Sequence, residues 1–250
     1  MRSISVLNFK GGVGKSTLAT NLGHALARRG VPVLIIDCDL QANASTLLPE
    51  PTAPTLTDVL MGRAALPEAI REAREDLWIV PADKNLDQAA KHVASEGMRG
   101  YYRLRKGLEQ ARDFDVILFD HSPSYSAVTE AALLASDEML VPCELAAFAI
   151  EGLLQMFDKL EDTLVEHTLT LSGIVPFKLD RRIKMHLSYL DDLRDTFGEK
   201  VLPAIRTDSA VGRAQSLHQT VFEYDDASKA AEDFRLVATA VVGERVGAAV

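Results

Sequence analysis

The chain has 250 residues, 47% of them hydrophobic and 25% charged, with a formal net charge of −9. That balance belongs to a folded globular protein and excludes a disordered chain, which carries too few apolar residues. The length suits one large domain or two small ones. No run approaches the roughly 18 apolar residues of a membrane span. Met1 leads directly into Ile4–Leu7 without an apolar leader and cleavage site, so no signal peptide is expected. Cys38 and Cys143 form no CxxC pair, which excludes a disulfide framework or a cysteine-only metal site and points to a reducing cytoplasm. The acidic total weighs against a nucleic-acid partner, although a local basic patch acts within a Debye length of about 8 Å.

In chain order, apolar runs alternate with helical patterns. Ile4–Asn8, Val31–Ile36, Leu77–Val80, Val116–Phe119, Glu138–Val141 and Ser172–Val175 read as strands, apolar on both pleat faces. Lys15–Arg29, with Leu18, Leu22, Ala25 and Leu26 on one face, reads as a helix. So do Tyr101–Ala111, Ala127–Ala135, Ile150–Leu164, Met185–Phe197 and Ser228–Val242. Val221–Tyr224 is a candidate last short strand, and the Pro-rich Pro49–Pro54 is a loop. The alternation predicts a single α/β domain over residues 1–250: a mostly parallel twisted sheet with helices on both faces.

The segment Lys10-Gly11-Gly12-Val13-Gly14-Lys15-Ser16-Thr17 follows a strand and opens a helix. Its glycines let successive N–H groups turn toward phosphate oxygens, and the helix start adds its dipole. Lys15 reaches the β and γ phosphates, the Ser16 hydroxyl stands where Mg²⁺ is ligated, and Thr17 can bond the α-phosphate. The strict pattern has glycine six residues before the lysine; here that residue is Phe9, and Lys10 follows it.

Asp37-Cys38-Asp39 ends the second strand. Two carboxylates two residues apart point the same way in extended chain, so one can help hold Mg²⁺ while the other orients an attacking water. Asp120 follows Val116–Phe119 in the position of an Mg²⁺-facing carboxylate. This inventory suits phosphoryl transfer to water. No GxSxG elbow and no GxGxxG is present, which argues against a serine hydrolase and a dinucleotide dehydrogenase.

The KGGxGK[ST] loop resembles that of the ParA/MinD family of deviant Walker ATPases, the ParA branch most closely. Further matches are Asp37, Asp39, Gln41 and Asn43 in a DxDPQxN-like motif with Leu40 for proline. Asp120-His121-Ser122-Pro123-Ser124 resembles DxPPS, with Ser122 for the first proline and His121 at the variable position. Glu151-Gly152-Leu153 and Phe222-Glu223-Tyr224 extend the likeness over most of the chain. The resemblance implies an ATPase using ATP and Mg²⁺ that forms a homodimer with ATP. Lys10 would reach the partner's phosphates, and Asp39 would position the attacking water. Arg206 and Asp208 would lie near adenine.

The resemblance further implies non-specific binding of double-stranded DNA by the ATP dimer, a nucleoid-associated location, and a ParB-like centromere-binding or adaptor partner. Arg182, Lys184 and Arg213 are the candidate DNA contacts, with Arg181 and Lys229 extending them; Arg99, Arg103, Arg105 and Lys106 form a second basic cluster. Only nine residues precede Lys10, so no helix-turn-helix domain is expected. Val241–Val250 carries one Arg, one Glu and two glycines, so no membrane-anchoring helix is expected. Three rival readings are a positioner of a protein cargo, a MinD-like membrane-cycling regulator, and a metabolic ligase or kinase of the same fold.

Overall fold

The computed structural model describes residues 1–48, 52–163, 167 and 169–243. Residues 49–51 of the Pro-rich stretch, Leu164 and the terminal residues 244–250 lie outside the described residues.

The strands are β1 Arg2–Val6, β2 Val33–Cys38, β3 Arg71–Arg74, β4 Leu77–Val80, β5 Val116–His121, β6 Glu138–Glu144, β7 Thr170–Leu179 and β8 Ile205–Arg206. They form one sheet in the order β3-β4-β2-β5-β1-β6-β7-β8. Only the β3–β4 pair is antiparallel; the other pairs run parallel. The expected mostly parallel α/β sheet is the observed one.

The longer helices are α1 Lys15–Ala27, α4 Leu86–Ser95, α7 Ala127–Leu134, α8 Ala149–Thr163, α9 Lys184–Phe197, α10 Ser209–Ser216 and α12 Lys229–Val242. Shorter ones are α2 Asn43–Leu47, α3 Leu56–Leu60, α5 Met98–Tyr101, α6 Arg103–Leu108 and α11 Val221–Tyr224. The expected helix Tyr101–Ala111 is instead two short segments, α5 and α6, meeting at Tyr102.

Val221–Tyr224 is helix, not strand. The Glu223 carboxylate accepts the Thr220 N–H at 2.7 Å, capping the first turn, and Phe222 packs edge-on against His24. The Val, Phe and Tyr of this segment favour a strand locally, and the cap and burial outweigh that preference.

Strand alternation sorts the core into two faces. Ile4, Val6, Val33, Ile35, Val116 and Leu118 pack under α1 and α12. Leu34, Ile36, Ile117 and Phe119 pack against α3, α4 and α7. Leu7, Val141 and Ile174 continue the second face beneath α8. The same alternation decides where the polar strand ends point. Asp37 lies two residues past Ile35 and Asp120 two past Leu118, so both face α1. His121 faces away, toward α7.

Candidate functional site: the phosphate loop and its carboxylates

β1 ends at Val6, and the chain turns on Asn8. The Asn8 side chain donates to the Pro142 carbonyl at 2.9 Å and accepts the Lys10 N–H at 2.9 Å, tying the loop to β6. Gly12 (φ 73°) and Gly14 (φ 102°) hold left-handed backbone that favours glycine. Gly14 has a second reason, since a Cβ there would lie 2.7 Å from the Phe177 ring. α1 begins at Lys15 with no side-chain cap on its first amides. Those amides therefore open into a cleft of about 520 Å³, lined among others by Gly12, Gly14, Lys15, Ser16, Thr17 and Asp39.

Lys15 is buried, and its Nζ donates to the Lys10 carbonyl at 3.0 Å. Burial lowers its pKa, while the Asp120 and Asp39 charges act in the opposite direction. Val13 is buried beneath the loop, and Gly11 is exposed.

Asp37, expected with Ser16 and Asp120 to hold Mg²⁺, has its oxygens taken up by protein donors, and its surroundings differ from those of Asp39. Asp37 has no exposure and accepts three hydrogen bonds: from the Ser45 N–H at 2.9 Å, the Ser45 hydroxyl at 2.6 Å and the Asp39 N–H at 3.0 Å. Burial, partly offset by these bonds, pushes its carboxyl up to about 6. Asp39 lines the cleft and accepts the Gln41 N–H at 2.9 Å. Gln41 and Asn43 line the same cleft, whereas Leu40, which stands where proline is usual, is exposed.

Asp120 has no exposure, and neither of its carboxylate oxygens has a hydrogen-bond partner. Burial and the Asp37 charge hold its carboxyl well above the ordinary range. The Ser16 hydroxyl favours the charged form without making a bond of ordinary geometry. A buried carboxylate beside a serine hydroxyl, with both oxygens unpaired, is a fitting donor set for a hydrated Mg²⁺. Among the described residues, no cluster of three or more His, Cys, Asp or Glu offers a direct protein cage.

His121 does not reach this site. Its Nε2 bonds the Ser5 hydroxyl at 2.8 Å on the opposite sheet face, and burial drives its pKa down to about 3. Pro123, on the loop after β5, lines the cleft. Ser122 replaces a stiff proline with hydrogen bonds: its hydroxyl reaches the Ser124 carbonyl at 3.1 Å and the Ser124 hydroxyl at 3.0 Å. Phe9 has its own packing role. Its ring meets Tyr125 edge-on at 5.9 Å, and Lys159 Nζ lies 5.1 Å from both rings.

Arg206 and Asp208 are engaged elsewhere. Arg206 Nε donates to the buried Asp233 at 2.9 Å, and its guanidinium also pairs with Glu232 at 2.6 Å. Asp208 caps α10 and also accepts the Ala230 N–H. Gln215 and His218 line the cleft instead. Gln215 donates to the Thr17 hydroxyl at 2.8 Å, and His218 Nδ1 lies 2.9 Å from the Thr46 carbonyl. The resemblance implies an adenine-cupping loop over Leu202–Val221, which contains both, but sequence reading singled out neither, because α10 and the turn after it bring them to the cleft only through packing.

Glu144 and Lys178 were also missed, although Glu144 ends β6 and Lys178 is next to last in β7, on the ligand-binding edge of a parallel sheet. Glu144 pairs with Lys10 at 3.5 Å and with Lys178 at 2.8 Å. The basic candidates are spread out. Arg182 is 89% exposed and pairs with Asp180 at 2.7 Å. Arg181, Lys184, Arg213 and Lys229 are exposed on or beside α9, α10 and α12. The second cluster is interrupted, since Arg103 pairs with Glu96 and Arg105 donates to the Leu134 carbonyl.

A glycine-rich strand-to-helix loop, a buried lysine and strand-end carboxylates on one sheet, Asp120 among them unpaired, define a P-loop nucleotide-binding domain. Comparison with known proteins agrees. A family model described as an AAA domain matches residues 1–171. The chromosome partitioning protein ParA of Caulobacter vibrioides is 37% identical over 235 residues, 90% of this chain and 88% of that protein. The cell division protein PomZ of Myxococcus xanthus is 33% identical, covering 96% of this chain and 81% of that protein. The structure of cobyrinic acid a,c-diamide synthase from Mycobacterium smegmatis, with bound ATP analogue and magnesium, matches with a TM-score of 0.80 at 26% identity. That match covers 95% of this chain and 93% of that one. The chain belongs to the ParA-type family of partition ATPases.

Proposed function

We propose that this protein is an ATP-hydrolysing dimerisation switch. With ATP it dimerises, binds DNA without sequence preference and segregates plasmid or chromosome cargo. The observation that carries the reading is the pairing of an open phosphate loop with the exposed Lys10 at its mouth and the buried, unpartnered Asp120 behind it. The 37% identity to a chromosome partitioning protein supports the choice of cargo.

Each residue has a stated task. The Gly11–Gly14 amides and Lys15 hold the phosphates, and Thr17 bonds the α-phosphate. Ser16 and Asp120 hold Mg²⁺, which when bound neutralises charge on the β and γ oxygens. Asp37, bonded to Ser45 and to the Asp39 backbone, positions Asp39 and the start of α2. Asp39 orients the attacking water. Lys10 reaches across the dimer to the partner's phosphates. Hydrolysis removes the charge that Lys10 answers, and the dimer loosens.

Two weak basic patches joined in a dimer bind DNA through effective concentration. Arg182, Lys184 and Arg213 supply them, and the net charge of −9 makes the binding weak and salt-sensitive. A ParB-like adaptor would load the cargo and stimulate turnover. No helix among the described residues is long and apolar enough to cross a membrane.

The test is binding to random-sequence duplex DNA with ATP, with ADP and without nucleotide, each over a salt series. ATP-dependent binding that falls steeply with salt is the expected result. ATP turnover with no DNA binding at any salt would overturn the nucleoid reading and favour a protein-cargo positioner, a reading that the similarity to a cell division protein also supports.

A further inference from the structure

β7 carries an irregularity that redirects one side chain. Phe177 pairs with Ile205 and Leu179 with Arg206, so two steps on β7 oppose one on β8, and Lys178 is the extra residue. Lys178 has φ 60°, a left-handed conformation that a lysine seldom adopts without a constraint. The slip changes the alternation. Val175 and Phe177 pack on the α1 face. Leu179, two residues further on, packs instead with Leu145 and Leu190. Lys178 Nζ thereby donates to the Gly12 carbonyl of the phosphate loop at 3.1 Å and to Glu144 Oε1 at 2.8 Å.

Glu144 therefore sits between two lysines. Its other oxygen lies 3.5 Å from Lys10 Nζ. In the single chain Glu144 holds Lys10 beside its own loop. If Lys10 left with no second cation present, a carboxylate only 28% exposed would stand unpaired near the incoming triphosphate. We propose that Lys178 is the resident counter-ion of Glu144, which keeps that carboxylate neutralised when Lys10 departs for the partner's phosphates. Lys178 is thus a positioning residue for the dimerising lysine. The lowered pKa of Glu144, caused first by its bond to Lys178, is consistent with that pairing. The inference rests on Lys10 acting across the dimer.

The experiment titrates a non-hydrolysable ATP analogue against the full chain and reads the dimer fraction by sedimentation. Lys178→Met keeps side-chain length and removes the charge. It should raise the half-dimerisation concentration about fivefold, as expected for loss of one partly exposed ion pair. Lys178→Arg should stay near wild type. Glu144→Gln removes the carboxylate that needs compensation, so adding Lys178→Met to it should have no further effect. Equal half-points for Lys178→Met and wild type, or a full Lys178→Met defect persisting in the Glu144→Gln background, overturn the proposal. Lys10→Ala separates the two levels. If Lys10→Ala dimerises normally, the cross-dimer reading fails and the proposal with it. If Lys10→Ala stays monomeric while Lys178→Met behaves as wild type, only the Lys178 role fails.

Discussion

Asp37 and Asp120 face each other in register across β2 and β5, on one side of the sheet and without exposure, yet only Asp37 is hydrogen-bonded. Burial raises the pKa of both, and the Asp37 charge raises that of Asp120 further. The protein holds an uncompensated charge site that a divalent cation can fill.

Asp120→Asn should therefore stabilise the nucleotide-free protein while abolishing Mg²⁺-dependent hydrolysis. Burial and the Asp37 charge hold the Asp120 carboxyl well above the 3.8 of an ordinary aspartate. A raised folded-state pKa gives stability that is present below about 4 and lost as pH rises toward the folded-state value. The advantage of Asp120→Asn over wild type should grow across that window and reach on the order of 1 kcal/mol at pH 7. Denaturant melts in EDTA at pH 4.5 and pH 7 measure it. An Asp120→Asn protein less stable than wild type at pH 7 would sink the idea.

His121 should affect stability and not catalysis. Its pKa falls from 6.5 to about 3 because it is buried. A depressed histidine resists protonation in the fold, so its contribution is full above 6.5 and is lost as pH falls toward 3. His121→Leu should flatten that acid loss and leave kcat within about twofold, since the ring lies across the sheet from the phosphates. A kcat drop of about 100-fold, the size of a lost general base, would return His121 to the mechanism.

The strands were legible because buried parallel strands are apolar on both faces, a signal confined to a few adjacent residues. β3 was not, since Arg71-Glu72-Ala73-Arg74 is a polar edge strand, and the two-residue β8 is too short to show a pattern. The phosphate loop is contiguous and could be read directly. Asp37, Asp39 and Asp120 could be named from the sequence, but the difference between a fully bonded Asp37 and an orphaned Asp120 depends on Ser45, eight residues downstream. Lys178 reaches the loop through a β-bulge, and no residue spacing announces one.

The phosphate loop and its neighbours should separate into three phenotypes. Lys15→Ala should lose ATP affinity by about 100-fold, because a charge-assisted contact is removed. Lys10→Ala should bind ATP and stay monomeric. Asp39→Ala should bind and dimerise, yet hydrolyse about 100-fold more slowly or less. Labelled-nucleotide binding, sedimentation and phosphate release read the three steps. Wild-type turnover by Asp39→Ala would remove it from the catalytic role.

Arg182 is restrained by Asp180, which accepts both its backbone and side-chain N–H groups. Asp180→Asn should free the guanidinium and tighten DNA binding, while Arg182→Glu should weaken binding strongly and spare the ATPase. Loss of a phosphate contact should also reduce the salt slope by about one unit. Filter binding over a salt series distinguishes this from misfolding. If Arg182→Glu binds like wild type, the DNA face lies elsewhere.

Arg206 and Gln215 provide the last contrast. Arg206 neutralises the buried Asp233, so Arg206→Ala leaves that carboxylate with only the backbone N–H of residue 206 and should cost about 2 kcal/mol of stability. It should leave ATP affinity unchanged, because Arg206 is directed at α12 and not at the cleft. Gln215→Ala does the reverse: Gln215 lines the cleft and fixes the Thr17 hydroxyl, so ATP binding should weaken about threefold to tenfold with little change in melting. Melting temperature and nucleotide Kd, measured on both variants, give opposite patterns. A Kd defect confined to Arg206→Ala would place the nucleotide base against β8, where the family resemblance puts it, and not against α10.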